Sequence, residues 1–145
     1  METNCRDTRG LKRIEVVAGL ICENGRVLVC QRSVNAAFPL KWEFPGGKVE
    51  SGELHEEALR RELREELQIE VETATKIYDH EHTYTGVSEV SLTFFRIDRY
   101  RGKVKNLIFK QIAWVEFNKL LEIDFLEGDL PLIKKLATAR GGGLL

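Results

Sequence analysis

Between Val49 and Glu72 the chain carries nine glutamates against three arginines, and the same stretch repeats Leu59, Leu63 and Leu67 at a helical spacing. Few folds accommodate such a segment. Glu62, Glu65 and Glu66 fall at i, i+3 and i+4, so they share one face within about 100° of arc. Like charges at that spacing destabilise an isolated helix. A solvated, salt-bridged helix is the ordinary reading of so acidic a run. Here, however, the leucine stripe lies directly beside the acidic arc, so packing the leucines holds the carboxylates at the edge of a core. Arg60 and Arg64 point toward solvent, and Arg61 is placed to reach back to Glu53 or to a phosphate.

The rest of the chain reads as one α/β domain. Its 145 residues, 43% hydrophobic and 31% charged, suit a single folded unit without internal repeats. Residues 1–13 read as a flexible tail, 14–139 as the domain and 140–145 as a second tail. Glu15 to Gln31 reads as a hairpin turning at Asn24-Gly25, a type I′ signal. That register sets Cys22 opposite Val27 and Cys30 opposite Gly19, with the two thiols on opposite faces and out of disulfide reach. A Pro/Gly-punctuated loop, Phe38 to Gly47, precedes a helix over Leu54–Leu67 with Ser51 or Gly52 as cap. Glu70–His82 and Val87–Tyr100 form a long antiparallel pair turning at Thr85-Gly86. Consecutive Phe94 and Phe95 call for a bulge or two-sided burial. A short strand, Ile112–Val115, and short helices near 118–122 and 129–139 complete the domain.

Composition removes several function classes. Twenty-two basic residues against 23 acidic ones leave a net charge of −1, which gives no basic excess for a nucleic-acid polymer. No apolar run is long enough for a spanning helix, the N-terminus has no secretory apolar region, and three cysteines are an odd count. A cytoplasmic, reduced protein without a membrane partner is the expectation. What remains is the acidic face. A hard divalent cation, Mg²⁺ or in its place Mn²⁺, is its natural partner, because such ions take carboxylate oxygens together with water and phosphate oxygens. Gly46-Gly47 just before the helix lets backbone approach an ion or phosphate closely, or serves as an ordinary turn.

Gly47, five residues, Glu53, seven residues, then Arg61-Glu62-Leu63-Arg64-Glu65-Glu66-Leu67-Gln68-Ile69 resembles the Nudix box, G-x5-E-x7-R-E-U-x-E-E-x-G-U. Every spacing agrees, and Gln68 stands where the pattern has Gly, a helix C-terminal position. Val16-Val17-Ala18-Gly19-Leu20-Ile21, Gln31-Arg32 and Trp42 to Glu50 extend the likeness toward the MutT branch and its CTP pyrophosphohydrolases. The resemblance implies an α/β/α sandwich around a mixed β-sheet. It also implies metal-dependent hydrolysis of nucleoside triphosphates, cytosine-type or oxidised, to monophosphate and pyrophosphate. Glu62, Glu65 and Glu66 would be metal ligands, joined by a carbonyl of Gly46 or Gly47, with Glu62 placed to orient water. Glu53 matches a position that braces Arg61. MutT-like chains often carry a late-loop Glu, but the corresponding positions here are Ile108 and Phe109. The base then falls to the box, or to Glu81 or Glu89.

For the nucleotide, Arg32 matches a position near the substrate and Tyr84 is available for stacking. Asp129 either accepts a hydrogen bond from a base amine, as an ionised carboxylate does for cytosine, or caps the helix before Pro131. His80 and His82 read as loop surface near the turn. An oxidised-guanine triphosphatase is the alternative substrate reading. A hydrolase of other nucleoside diphosphate derivatives is disfavoured by the absence of Pro between Pro45 and Pro131. A catalytically silent binding module is disfavoured by the intact box carboxylates. Monomer and homodimer both fit.

Overall fold

The computed structural model describes residues 4–6, 12–84, 88–138 and 145. Its organising strand is β2 (Lys12–Leu20), apolar on both faces in its second half. One edge of β2 pairs in parallel with β8 (Ser88–Arg101), from Lys12↔Ser88 to Leu20↔Arg96. Its other edge is shared by β1 (Asn4–Arg6) and β6 (Gly46–Lys48), both antiparallel. Residues 4–6 are therefore not tail: they pair with residues 12–14 and cover an edge of β2 whose backbone groups β6 does not reach. Residues 140–144, most of the second expected tail, the last expected domain residue, 139, and the expected turn at Thr85-Gly86 lie outside the described residues. Leu145 packs against the domain.

A second sheet is centred on β4 (Arg26–Gln31), between β9 (Gln111–Glu116) and the short strands β3 (Cys22–Glu23) and β5 (Trp42–Glu43). The type I′ turn forms as read, with φ of 53° at Asn24 and 76° at Gly25, and Cys22 faces Val27. The longer register does not form. Cys30 pairs with Ile112 and Glu43, while Gly19 pairs with Phe95. The cause is burial: Val27, Leu28, Val29 and Cys30 are all fully buried, so β4 needs a neighbour on each edge and cover on each face. Cys22 and Cys30 are free thiols packed in opposite layers.

Those layers make the expected sandwich. Val17, Leu28, Phe95 and Ile97 face α1 (His55–Leu67), meeting Leu59, Leu63 and Leu67. Alternate residues Ala18, Leu20, Val29 and Phe94 face the other way, against a 3-10 turn (Phe117–Glu122) and α2 (Leu130–Ala137). Phe94 and Phe95 are thus buried on opposite faces. A register shift in β7 (Glu70–Tyr84) between Lys76 and Tyr78 lies opposite them.

Two features of α1 fix its acidic face. Leu54, rather than Ser51 or Gly52, occupies the N-cap. The Glu57 carboxylate accepts its backbone N–H at 2.8 Å, and Gly52 turns the chain at φ 79°. At the other end Gln68 adopts the left-handed C-cap, φ 58°, and donates its N–H to Arg64 O at 3.1 Å. This is the conformation that favours Gly, and the distant loop that follows β8 holds it. Lys105 and Leu107 donate to the carbonyls of Leu67 and Glu66 at 2.9 and 3.0 Å. Arg60 is not a solvent-side partner: its guanidinium donates to the carbonyls of Val71 and Glu72 at 3.2 and 3.3 Å, tying α1 to β7. Arg64 does pair at the surface, with Glu70.

Candidate active site

The loop–helix junction packs backbone against carboxylates. A Cβ on Gly46 would lie 2.0 Å from Val17 O, and one on Gly47 would lie 2.5 Å from the Glu62 carboxyl carbon. These glycines are required by close approach, so the ordinary-turn reading fails. Gly46 donates its N–H to Glu66 Oε1 at 3.0 Å. Glu66 is only 7% exposed, and burial, reinforced by the Glu62 charge, pushes its carboxyl up to about 10. Burial also raises Glu62, and the two carboxyls are hydrogen bonded to each other. Burial and mutual repulsion thus both hold the pair toward its protonated form, because two like charges are costly to keep together out of water.

Arg61 organises the rim. It donates to both Glu53 oxygens at 2.8 and 3.0 Å, to Glu62 Oε1 at 2.8 Å and to Lys48 O at 3.0 Å. The Arg61 contact holds Glu53 near pH 2, well below the usual range. Glu65 stands apart from the pair, with its side chain 58% exposed and its carboxylate 3.5 Å from Arg61. Among the described residues no three His, Cys, Asp or Glu side chains are gathered closely enough to hold a metal ion. The donor chemistry nevertheless fits a hard dication. A buried carboxyl pair whose ionised form is disfavoured gains most when a cation offsets its charge, and Gly47 leaves the flank of Glu62 clear.

A cavity of about 490 Å³ runs from Gly46, Gly47 and Glu66 to Arg32, Glu43, Tyr84 and Asp129. The structure therefore places the three expected nucleotide-contacting residues and the Gly-Gly backbone on one space. Asp129 is 5% exposed and makes no helix-cap hydrogen bond. Instead it accepts the Phe44 N–H, while burial and the Glu43 charge hold its carboxyl well above the usual range. Asp129 thus stands at the N-cap position of α2 without capping it, and it forms part of the cavity lining. Tyr84 accepts the Gly128 N–H at 3.2 Å and packs against His82 at 4.5 Å. Arg32 grips Glu43 through Nη1 at 3.1 and 3.0 Å.

Sequence reasoning gave Glu43 no role, since a single acidic residue between aromatics carries no spacing signal. Its burial pushes its carboxyl up, against the pull of Arg32. Glu81 and Glu89 do not line the cavity and instead face Arg13 at 3.4 and 4.0 Å. Ile108 and Phe109 do line it, as apolar wall. His80 and His82 are strand residues rather than loop surface, and their Nε2 atoms are shielded from solvent. No helix of the described residues is long and apolar enough to cross a membrane.

This arrangement, a box helix presenting carboxylates to a Gly-Gly strand within an α/β/α sandwich, is that of a known hydrolase class. The NUDIX domain model matches residues 12–136, and the chain belongs to that family: it is a Nudix hydrolase. Among curated relatives, the CTP pyrophosphohydrolase of Escherichia coli (strain K12) is 32% identical over 130 residues, covering 90% of this chain and 96% of the relative. The 8-oxo-dGTP diphosphatase of the same strain is 30% identical over 127 residues, covering 87% and 98%. The solution structure of the E. coli ORF135 protein superposes with a TM-score of 0.78 at 31% identity, over 92% of this chain and 97% of that one.

Proposed function

We propose that this Nudix hydrolase converts nucleoside 5′-triphosphates to nucleoside monophosphate and pyrophosphate. The observation that carries the reading is the single cavity joining the Glu66 and Gly46-Gly47 end to the Tyr84 and Asp129 end. Its lining suits a ligand with phosphates at one end and a flat hydrogen-bonding ring at the other. The names of the two relatives support the same class.

Glu62, Glu65, Glu66 and the backbone at Gly46-Gly47 would hold Mg²⁺ or Mn²⁺, which supplies charge neutralisation on phosphate oxygens and acidifies water. The chain's own residues do the positioning. Arg61 fixes Glu62 against Gly47 and ties the 48–53 turn to α1, so that the carboxylates are set before substrate arrives. Glu62 orients the attacking water, since Glu81 and Glu89 lie elsewhere. Water's oxygen bonds to phosphorus, the anhydride bond inside the triphosphate breaks, and the water proton is released.

At the base end, the buried Asp129 carboxyl is the hydrogen-bonding group that meets the base. As an acceptor it suits a cytosine amine and equally the N–H edge of a guanine. A phosphorus NMR time course with Mg²⁺ on CTP, dCTP, dGTP and 8-oxo-dGTP tests the reading. Pyrophosphate and monophosphate are expected; nucleoside diphosphate with orthophosphate would refute the reaction. The same panel ranks the bases.

A further inference from the structure

The loop between β4 and β5 holds an aromatic side chain where burial does not explain it. Phe38 and Leu40 both occupy left-handed backbone, with φ of 49° and 64°, a region disfavoured for residues bearing a Cβ. Phe38 is also 45% exposed, so core packing is not what keeps it there. Polar contacts keep it there. Arg32 Nε donates to Ala37 O at 2.6 Å, Leu40 donates its N–H to Arg32 O at 3.2 Å, and the Gln31 amide donates to Leu40 O at 3.1 Å. The result is a ring at the cavity wall, 4.9 Å from the Tyr84 ring and inclined to it by 41°. Tyr84 sits on a long strand with its hydroxyl held by Gly128, whereas Phe38 sits on a loop outside the sheets, held through backbone carbonyls at Ala37, Phe38 and Leu40.

We propose that Phe38 is a specificity-determining residue, presenting the second aromatic face, opposite Tyr84, to the base of the substrate. The proposal rests on the nucleotide reading above and deepens it. A flat heterocycle between two rings needs planes separated by roughly 7 Å, two contact distances of about 3.5 Å. The two rings now touch each other, with centroids 4.9 Å apart and planes inclined by 41°, so base entry moves the Phe38 ring outward by at least about 2 Å and levels it against Tyr84, which stays in place. The two faces are sequence-tolerant by nature, because every base has a π-face. Hydrogen bonding at Asp129 then discriminates among bases that the rings already hold. A bicyclic purine overlaps the pair more than a pyrimidine does, so Phe38 favours purines over pyrimidines.

Phe38→Gly is the informative variant, because glycine suits the left-handed backbone and removes the ring without straining the loop. Phe38→Tyr restores the aromatic face. Both are compared with wild type by KM and kcat for CTP and dGTP. The inhibition constant of inorganic tripolyphosphate, which has no base, is measured alongside. Losing one stacking face should raise KM for both nucleotides by roughly five- to a hundredfold, more for dGTP than CTP. Tripolyphosphate inhibition and the thermal midpoint should stay as in wild type, and Phe38→Tyr should stay within about twofold of wild type on the same scale. Unchanged nucleotide KM in Phe38→Gly would overturn the proposal while leaving the nucleotide reading intact. So would an equal loss of tripolyphosphate binding, since the loop would then serve the phosphate end. A wild-type protein that binds tripolyphosphate but turns over no nucleoside triphosphate removes the reading itself, and this proposal with it.

Discussion

Gly47→Ala tests the junction between backbone and carboxylate with one methyl group. Gly47 is outside the left-handed region, so alanine is backbone-compatible and any effect comes from the added Cβ. That atom would stand 2.5 Å from the Glu62 carboxyl carbon and 2.6 Å from each of its oxygens. Ordinary carbon contacts begin near 3.5 Å, so the carboxylate must retreat by about 1 Å. It has little room to do so. Arg61 holds Glu62 Oε1 at 2.8 Å, Glu66 bonds the same carboxyl, and the backbone of Gly47 is pinned opposite Val17.

A 1 Å displacement of a positioning group costs on the order of 100-fold in rate, and overpacking a rigid contact costs about 1–3 kcal/mol of stability. Steady-state pyrophosphate release with saturating Mg²⁺, paired with thermal denaturation, measures both. The expected result is a kcat lower by about two orders of magnitude, with a folded protein and a modestly lowered midpoint. Wild-type kcat in Gly47→Ala would mean that the Glu62 position does not matter to the reaction, and the assignment of Glu62 would fall.

Removing two charges by Glu65→Gln with Glu66→Gln should cost about 3–4 kcal/mol or more of barrier in the Mg²⁺-dependent assay. The metal-free fold should be kept, because an amide oxygen at position 66 still accepts the Gly46 N–H and Glu65 is exposed. Asp129→Asn keeps an acceptor for the Phe44 N–H but changes the outward pattern, so the kcat/KM ratio among CTP, dGTP and 8-oxo-dGTP should shift by about 1–3 kcal/mol with little change in thermal midpoint; a uniform change across the panel would refute base reading. Glu53→Gln should lower the midpoint at neutral pH. Since Arg61 depresses the folded-state Glu53 value from 4.5 to about 2, that contribution is present above the unfolded value and lost as pH falls through about 2. The gap between wild type and variant should therefore close in acid, as pH-dependent thermal melts would show.

What the sequence revealed was local. The helix, the box spacing and the Asn24-Gly25 turn all follow from residues within a few positions of one another, and they formed where expected. What it concealed was long-range or environmental. Nothing near Cys30 says that its strand is buried on both faces and paired to Ile112. Asp129 looks like a helix cap because Pro131 follows; only the approach of Phe44, 85 positions earlier, reveals a buried acid. Gln68 looks like a departure from a glycine position, yet the loop at Lys105 and Leu107 supplies the hydrogen bonds that hold the helix end.

The segment from Glu43 to Lys48 explains why both ends of the cavity depend on one short run of sequence. Glu43 pairs with Arg32, and the Phe44 N–H reaches Asp129. Pro45, which has no N–H to satisfy, accepts from Gly19 at 2.8 Å. Gly46 donates to Glu66, Gly47 admits the Glu62 carboxylate, and Lys48 O receives Arg61. Successive residues thus serve the Asp129 end, the β2 strand and the carboxylate end in turn. Extended chain advances at most about 3.3–3.6 Å per residue, so the four steps from Glu43 to Gly47 separate those ends by no more than about 14 Å. Because the segment is anchored at every position, that separation is set by covalent structure rather than by packing that could relax. The same rigidity leaves the neighbouring 33–41 loop, with Phe38, as the part of the cavity wall that yields when a ligand enters.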